Sequence, residues 1–88
     1  MAWTIDYTET AKAQLSKLDK QTARRIVDFM DERVAGRENP RDSGKALTGS
    51  LGGFWRYSVG DCRVICDIQD GVLRVLVVQV GNRREIYR

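Results

Sequence analysis

Residues 3–7, Trp-Thr-Ile-Asp-Tyr, alternate apolar and polar side chains of β-favouring type, which predicts a short strand with Trp3, Ile5 and Tyr7 turned inward. The period then lengthens. Ala11, Leu15 and Leu18 recur at helical spacing behind Thr8, a good N-cap residue, and Ala23, Ile26, Met30 and Val34 do the same behind Asp19. Two helices with so short a link form a hairpin, and Gly36 ends it. Residues 37–53 show no period, and Asn39-Pro40, Ser43-Gly44 and Gly52-Gly53 predict a polar loop with turn chemistry throughout. Three strand-like runs follow at 54–59, 62–69 and 72–80, separated by Gly60-Asp61 and Asp70-Gly71, both suited to two-residue hairpin turns. The predicted class is α+β: a short N-terminal strand, a two-helix hairpin, then a three-stranded antiparallel meander. The helices cover one face of a small sheet and leave the other open.

Register carries this pattern towards chemistry. A two-residue turn at 60 and 61 sets Val59 opposite Cys62, Ser58 opposite Arg63 and Arg56 opposite Ile65, so Arg56 and Arg63 share one face. The same counting from Asp70-Gly71 sets Arg63 against Val78 and Asp67 against Arg74, which predicts a structural ion pair for the latter two. Trp55, Tyr57, Val64, Cys66, Ile68, Leu73, Val75 and Val77 fall on the opposite face and form the expected core. No carboxylate is expected opposite Arg56 or Arg63.

Composition narrows the class. With 88 residues, of which 42% are hydrophobic and 31% charged, the chain is expected to fold as one domain over residues 1–88 with one thin core and no second catalytic unit. A net charge of +3 is mild, so only its arrangement informs: after Lys45 every basic residue is arginine, whose planar fork suits phosphate. Cys62 and Cys66 lie on one face of an aliphatic strand and read as core thiols. Two thiols without any histidine cannot complete a tetrahedral zinc site, so neither metal nor cofactor is expected. No apolar run is long enough to cross a bilayer and no leader pattern opens the chain, which predicts a cytoplasmic protein.

The run Trp55-Arg56-Tyr57-Ser58-Val59-Gly60-Asp61-Cys62-Arg63-Val64-Ile65, followed by Val80-Gly81-Asn82-Arg83-Arg84-Glu85-Ile86-Tyr87, resembles the two signature segments of the RelE branch of the RelE/ParE toxin superfamily. Lys45-Ala46-Leu47 followed by Gly49 is similar to the family's preceding lysine-leucine-glycine element. The resemblance implies a small sheet under two helices that enters the ribosomal A site of the 70S ribosome. There it would cut messenger RNA, without a metal, through attack of a ribose 2′-hydroxyl on the neighbouring phosphate. It assigns catalytic roles to Arg56, Arg63, Arg83 and Tyr87, and RNA contacts to Lys45, Ser58, Asn82 and Arg84. Ser58 stands where some members carry a second lysine and Asn82 where short members carry histidine, which predicts a weakened activity.

The chemistry of these residue types agrees. Cleavage through a 2′-hydroxyl passes through a phosphorane-like state whose extra charge converging guanidinium groups stabilise. Tyr87 offers a face for stacking an unpaired base and a hydroxyl for orienting the nucleophile. Singly, each residue has a plain structural explanation: solvated outer-face arginines, a C-terminal charge cluster, a tyrosine over the edge of the core. Jointly they favour the nuclease. Two other classes share the fold: a ParE-like inhibitor that acts on DNA gyrase by binding, and a subunit that binds RNA or antitoxin without cutting. The resemblance also implies a cognate antitoxin, RelB-like or another small one, in a hetero-oligomer. A basic sheet face invites an acidic segment that folds on binding. With the chain ending at Arg88 and no further helix, inhibition is expected to work by covering the site or by adding bulk.

Overall fold

In the computed structural model, which describes residues 3–82, β1 (Thr4–Tyr7) leads directly into the helical hairpin. Both predicted caps form: Thr8 Oγ1 accepts from the Ala11 N–H (3.1 Å) at the start of α1 (Glu9–Lys17), and Asp19 Oδ2 accepts from the Thr22 N–H (3.1 Å) at the start of α2 (Lys20–Phe29). The apolar positions Ile26, Met30 and Val34 are all fully buried, but the last two belong to a π-helical turn, Met30–Ala35, that continues α2.

Five strands make one sheet in the order β1-β5-β4-β3-β2, with β2 (Lys45–Ala46), β3 (Trp55–Val59), β4 (Cys62–Gln69) and β5 (Arg74–Asn82) antiparallel and β1 parallel to β5. Ala11, Ile26, Met30 and Val34 from the helices pack on Tyr57, Val64, Cys66, Val75 and Val77, all of them dry. Phe29 meets the Tyr57 ring edge-on, with centroids 5.9 Å apart. Among the described residues no helix is long and apolar enough to cross a membrane.

The long loop is ordered by ring donors rather than by its own period. Trp3 Nε1–H donates to the Glu38 carbonyl (3.0 Å), the Tyr57 hydroxyl to Pro40 (2.6 Å) and Trp55 Nε1–H to Ser43 (2.8 Å). Core aromatics thus hold residues 38–43 against the sheet, and the next two residues pair as β2. Gly44 makes this approach feasible: at φ +82° a Cβ there would stand 2.3 Å from the Arg56 carbonyl oxygen.

The turn at Gly60-Asp61 matches expectation, with positive φ only at Gly60 and Val59 opposite Cys62. The turn at Asp70-Gly71 does not. Residues Asp70–Val72 form a short 3-10 turn and Leu73 adopts a left-handed conformation (φ 52°), so Gln69 pairs with Arg74 rather than with Val72. Asp67 therefore faces Leu76, and the expected Asp67–Arg74 pair is absent. Arg74 Nε–H instead donates to Gln69 Oε1 (2.7 Å), and its guanidinium lies 3.7 Å from Asp6 on β1. Asp67 accepts from Gln69 Nε2 (3.0 Å). A bulge beside Ile65 and Cys66 then leaves Val78 as an extra residue, which sets Arg63 against Gly81 rather than Val78. A local count of turn residues detects neither event, because each depends on how the finished sheet closes.

Candidate functional site

The site is built from two rows of residues running across the strands on the face away from the helices. In one row Lys45, Arg56, Ile65 and Gln79 lie side by side on β2, β3, β4 and β5; in the next, Ser58, Arg63 and Gly81 do so on β3, β4 and β5. Directly opposed side chains in antiparallel strands start about 4.5–5.5 Å apart and diagonal ones about 7–8 Å. Arg56 and Arg63 are such a diagonal pair, with Lys45 beside Arg56. Three cations converge on one patch, and among the described residues no carboxylate stands directly across the strands from any of them.

Each member is held differently. Lys45 is exposed, whereas Arg56 and Arg63 are half-buried. Arg56 is engaged with its surroundings. Arg63 Nη1–H makes one long bond to the Cys62 carbonyl (3.3 Å), while its buried Nε has no acceptor among the described residues. A buried guanidinium nitrogen lacking an acceptor is what an anionic ligand would complete. Gly81 opposite Arg63 has no side chain to obstruct that approach. The acidic residues of this face, Asp6 and Asp67, lie towards its other end, tied to Arg74 and Gln69.

The structure does not bring Asn82 into this patch. Asn82 pairs opposite the buried Cys62 and lines a recess with Asp19 and Thr22, on the side of the sheet that carries the helices. Arg83, Arg84 and Tyr87 lie outside the described residues. Both cysteines are buried, and burial pushes both thiols above their ordinary pKa, which keeps them protonated and poorly nucleophilic.

The sequence predicts an open outer face, but that face is not uniformly open. Ile65 points away from the helices yet is only 1% exposed. It borders a recess of ≈ 320 Å³ with Leu51 and Phe54 from the β2–β3 connection and Val78 and Gln79 from β5. The backbone of that connection is fixed by the Leu47 N–H donating to the Phe54 carbonyl (3.0 Å) and the Phe54 N–H to Leu51 (3.2 Å). One signal was available: Phe54 lies two residues before Arg56, so strand parity places it on the same face. A larger recess, ≈ 490 Å³, lies between α2 and the Gly60 turn, where Asp28 and Glu32 are interspersed with Arg24, Arg25 and Arg33 and offset most of their charge.

Residues 5–87 match the family described as "ParE toxin of type II toxin-antitoxin system, parDE". The chain is 33% identical over 84 residues to "Toxin RelE" of Mycobacterium tuberculosis (strain ATCC 25618 / H37Rv), which covers 96% of this chain and 84% of that protein. It is 30% identical over 88 residues to "Toxin RelG" of the same organism, covering 100% and 99% respectively. A chain of the toxin–antitoxin complex RelBE2 from Mycobacterium tuberculosis superposes with a TM-score of 0.86 at 26% identity, covering 94% of this chain and 93% of that one.

Proposed function

The chain belongs to the ParE-toxin family of type II toxin–antitoxin systems, within the RelE/ParE superfamily, and on that premise we propose that it is a ribosome-dependent messenger-RNA endonuclease restrained by a cognate antitoxin. The observation that carries this reading is the convergence of Lys45, Arg56 and Arg63 on one sheet face, where the buried Arg63 Nε lacks an acceptor among the described residues. Such a patch attracts a polyanion, and preorganised guanidinium groups act most strongly where negative charge develops.

In the proposed reaction the ribose 2′-oxygen forms a bond to the adjacent phosphorus while the bond from phosphorus to the 5′-oxygen breaks. The 2′-hydroxyl proton leaves to a base, and the 5′-oxygen takes up a proton as it departs. Arg56 and Arg63 stabilise the added charge on the phosphoryl oxygens, and Lys45 and Ser58 hold the flanking backbone. In this reading Arg83 belongs to the clamp, Arg84 contacts the RNA, and Tyr87 orients the nucleophile or carries its proton. No metal takes part. The protein acts in the cytoplasm, where translating ribosomes present the substrate. The similar RelBE2 toxin is in complex with an antitoxin, and a partner with an acidic segment would neutralise the same patch.

The family match also favours a second reading, inhibition of DNA gyrase by binding alone. Brief induction without the partner, followed by primer-extension mapping of messenger RNA and a parallel gyrase supercoiling assay, separates them. In-frame cuts that vanish when translation is blocked are expected. Intact messenger RNA with inhibited gyrase would transfer the function to the binding class, and neither effect would leave a subunit that binds without cutting.

A further inference from the structure

Strand alternation explains why Arg56 and Arg63 face outward, but it does not explain the apolar recess between them and α1. Its walls are the Phe54 ring, Leu51 and Val78, with Ile65 in the sheet, and its rim carries the polar side chains of Thr8, Thr10 and Gln79. Register sets its surroundings. Arg56 stands directly opposite Ile65 and two residues after Phe54, and Arg63 stands two residues before Ile65 on the same strand. Whatever fills the recess therefore has an uncharged, largely apolar body within one side-chain length of two guanidinium groups.

We infer that this recess holds one unpaired nucleobase of the RNA substrate, stacked on Phe54, with the phosphate of that nucleotide on Arg56 and Arg63. The inference rests on the RNA reading above and deepens it. A flat heterocycle suits the aromatic wall, the ≈ 320 Å³ volume accepts it, and Thr10 and Gln79 on the rim give its polar edge hydrogen-bond partners, the Thr8 hydroxyl being engaged by Val78 and Ala11. An aliphatic side chain would leave that rim unused. The anion that a nucleotide carries next to its base meets the cations beside the recess, so base and phosphate are recognised together. A base seated there fixes which phosphate reaches the guanidinium groups, which makes Phe54 and its neighbours specificity-determining.

The test uses the full chain and needs neither ribosomes nor cleavage. Uridine and adenosine 5′-monophosphate are titrated by NMR against ribose 5-phosphate, which carries the same anion without a base. The nucleotides are expected to bind roughly 5- to 150-fold more tightly, the range for one stacked base, and to shift the Ile65 and Val78 methyl signals. Phe54→Ala should remove that advantage and keep ribose 5-phosphate binding. Thr10→Trp, at an exposed position on the rim, should do the same by filling the recess, and guards against a folding defect in the first variant. Equal binding of nucleotide and ribose 5-phosphate, or an advantage that survives Thr10→Trp, would overturn the inference. So would preferential uptake of a capped leucine amide, which would assign the recess to a protein partner. A chain that cuts messenger RNA without the base-dependent advantage sinks this inference alone; one that shows the advantage but never cuts sinks the nuclease reading alone.

Discussion

Tyr57 and Ser58 are neighbours on β3 and sit in opposite surroundings. Tyr57 is fully buried among helix side chains, its hydroxyl donating to Pro40, while Ser58 is exposed in the row that contains Arg63. Most positions of the meander divide this way, with the outward but buried Ile65 an exception. The helix-covered face is largely dry, and the outer face keeps cations side by side with Arg63 Nε lacking an acceptor among the described residues. One face is arranged for stability and the other for a ligand. The contrast teaches that charge convergence costs the fold little here, because the opposite face supplies the burial.

The largest effect should come from the dry face. Tyr57→Ala is expected to destabilise by about 3–5 kcal/mol, the range for truncating a large buried aromatic, whereas Ser58→Ala should stay within about 0.5 kcal/mol. Denaturant unfolding of both variants measures the difference, and equal losses would erase the proposed division of the sheet.

Arg63→Ala probes the other face. Removing one charge-stabilising donor should lower cleavage on ribosomes by roughly 10²- to 10³-fold while the unfolding midpoint holds. Undiminished cleavage by a normally folded variant would remove Arg63 from the site.

A smaller effect is expected where the faces meet an edge of the sheet. Beyond Tyr7 the edge of β5 is no longer covered by β1, and α1 takes over: Gln14 Oε1 accepts from the Val80 N–H (2.7 Å) and the Thr8 hydroxyl donates to the Val78 carbonyl (3.3 Å). Gln14→Leu leaves the Val80 amide without its acceptor and should cost about 1–3 kcal/mol. Amide exchange at Val80 should accelerate, and an unchanged rate would show that the bond contributes nothing.

The mildest prediction concerns pH. Burial first, and then the nearby Asp31 carboxylate, push the Tyr7 phenol up to about 12. The folded state thus holds this proton more tightly than the unfolded chain, where a tyrosine titrates near 10. The associated stability is complete below about pH 10 and fades as pH rises towards 12. Unfolding of Tyr7→Phe should show a weaker loss of stability across that window than the parent, and identical profiles would place the phenol in water.

Much of this was legible in the sequence. Thr8 and Asp19 mark the two helix starts by the chemistry of a side chain accepting from the first turn, and Gly60 marks the hairpin because it takes the positive φ its turn requires. From that turn the shared face of Arg56 and Arg63 follows by counting. The second hairpin departs from the predicted two-residue turn because Leu73, a residue with no turn signature, takes the left-handed position. Lys45 shows the same limit: its two-residue strand has no period of its own and forms only because Trp55 and Tyr57 hold the preceding loop.

The sequence by itself determined the helices, the first hairpin and the sidedness of β3 and β4, because side-chain alternation and capping are set by covalent geometry over a few residues. Only the tertiary structure decided the parallel pairing of β1 with β5, the bulge at Val78, the placement of Lys45 beside Arg56 and the recess around Ile65. Those features join residues far apart in the chain, and their energies arise only once the loops between them are closed.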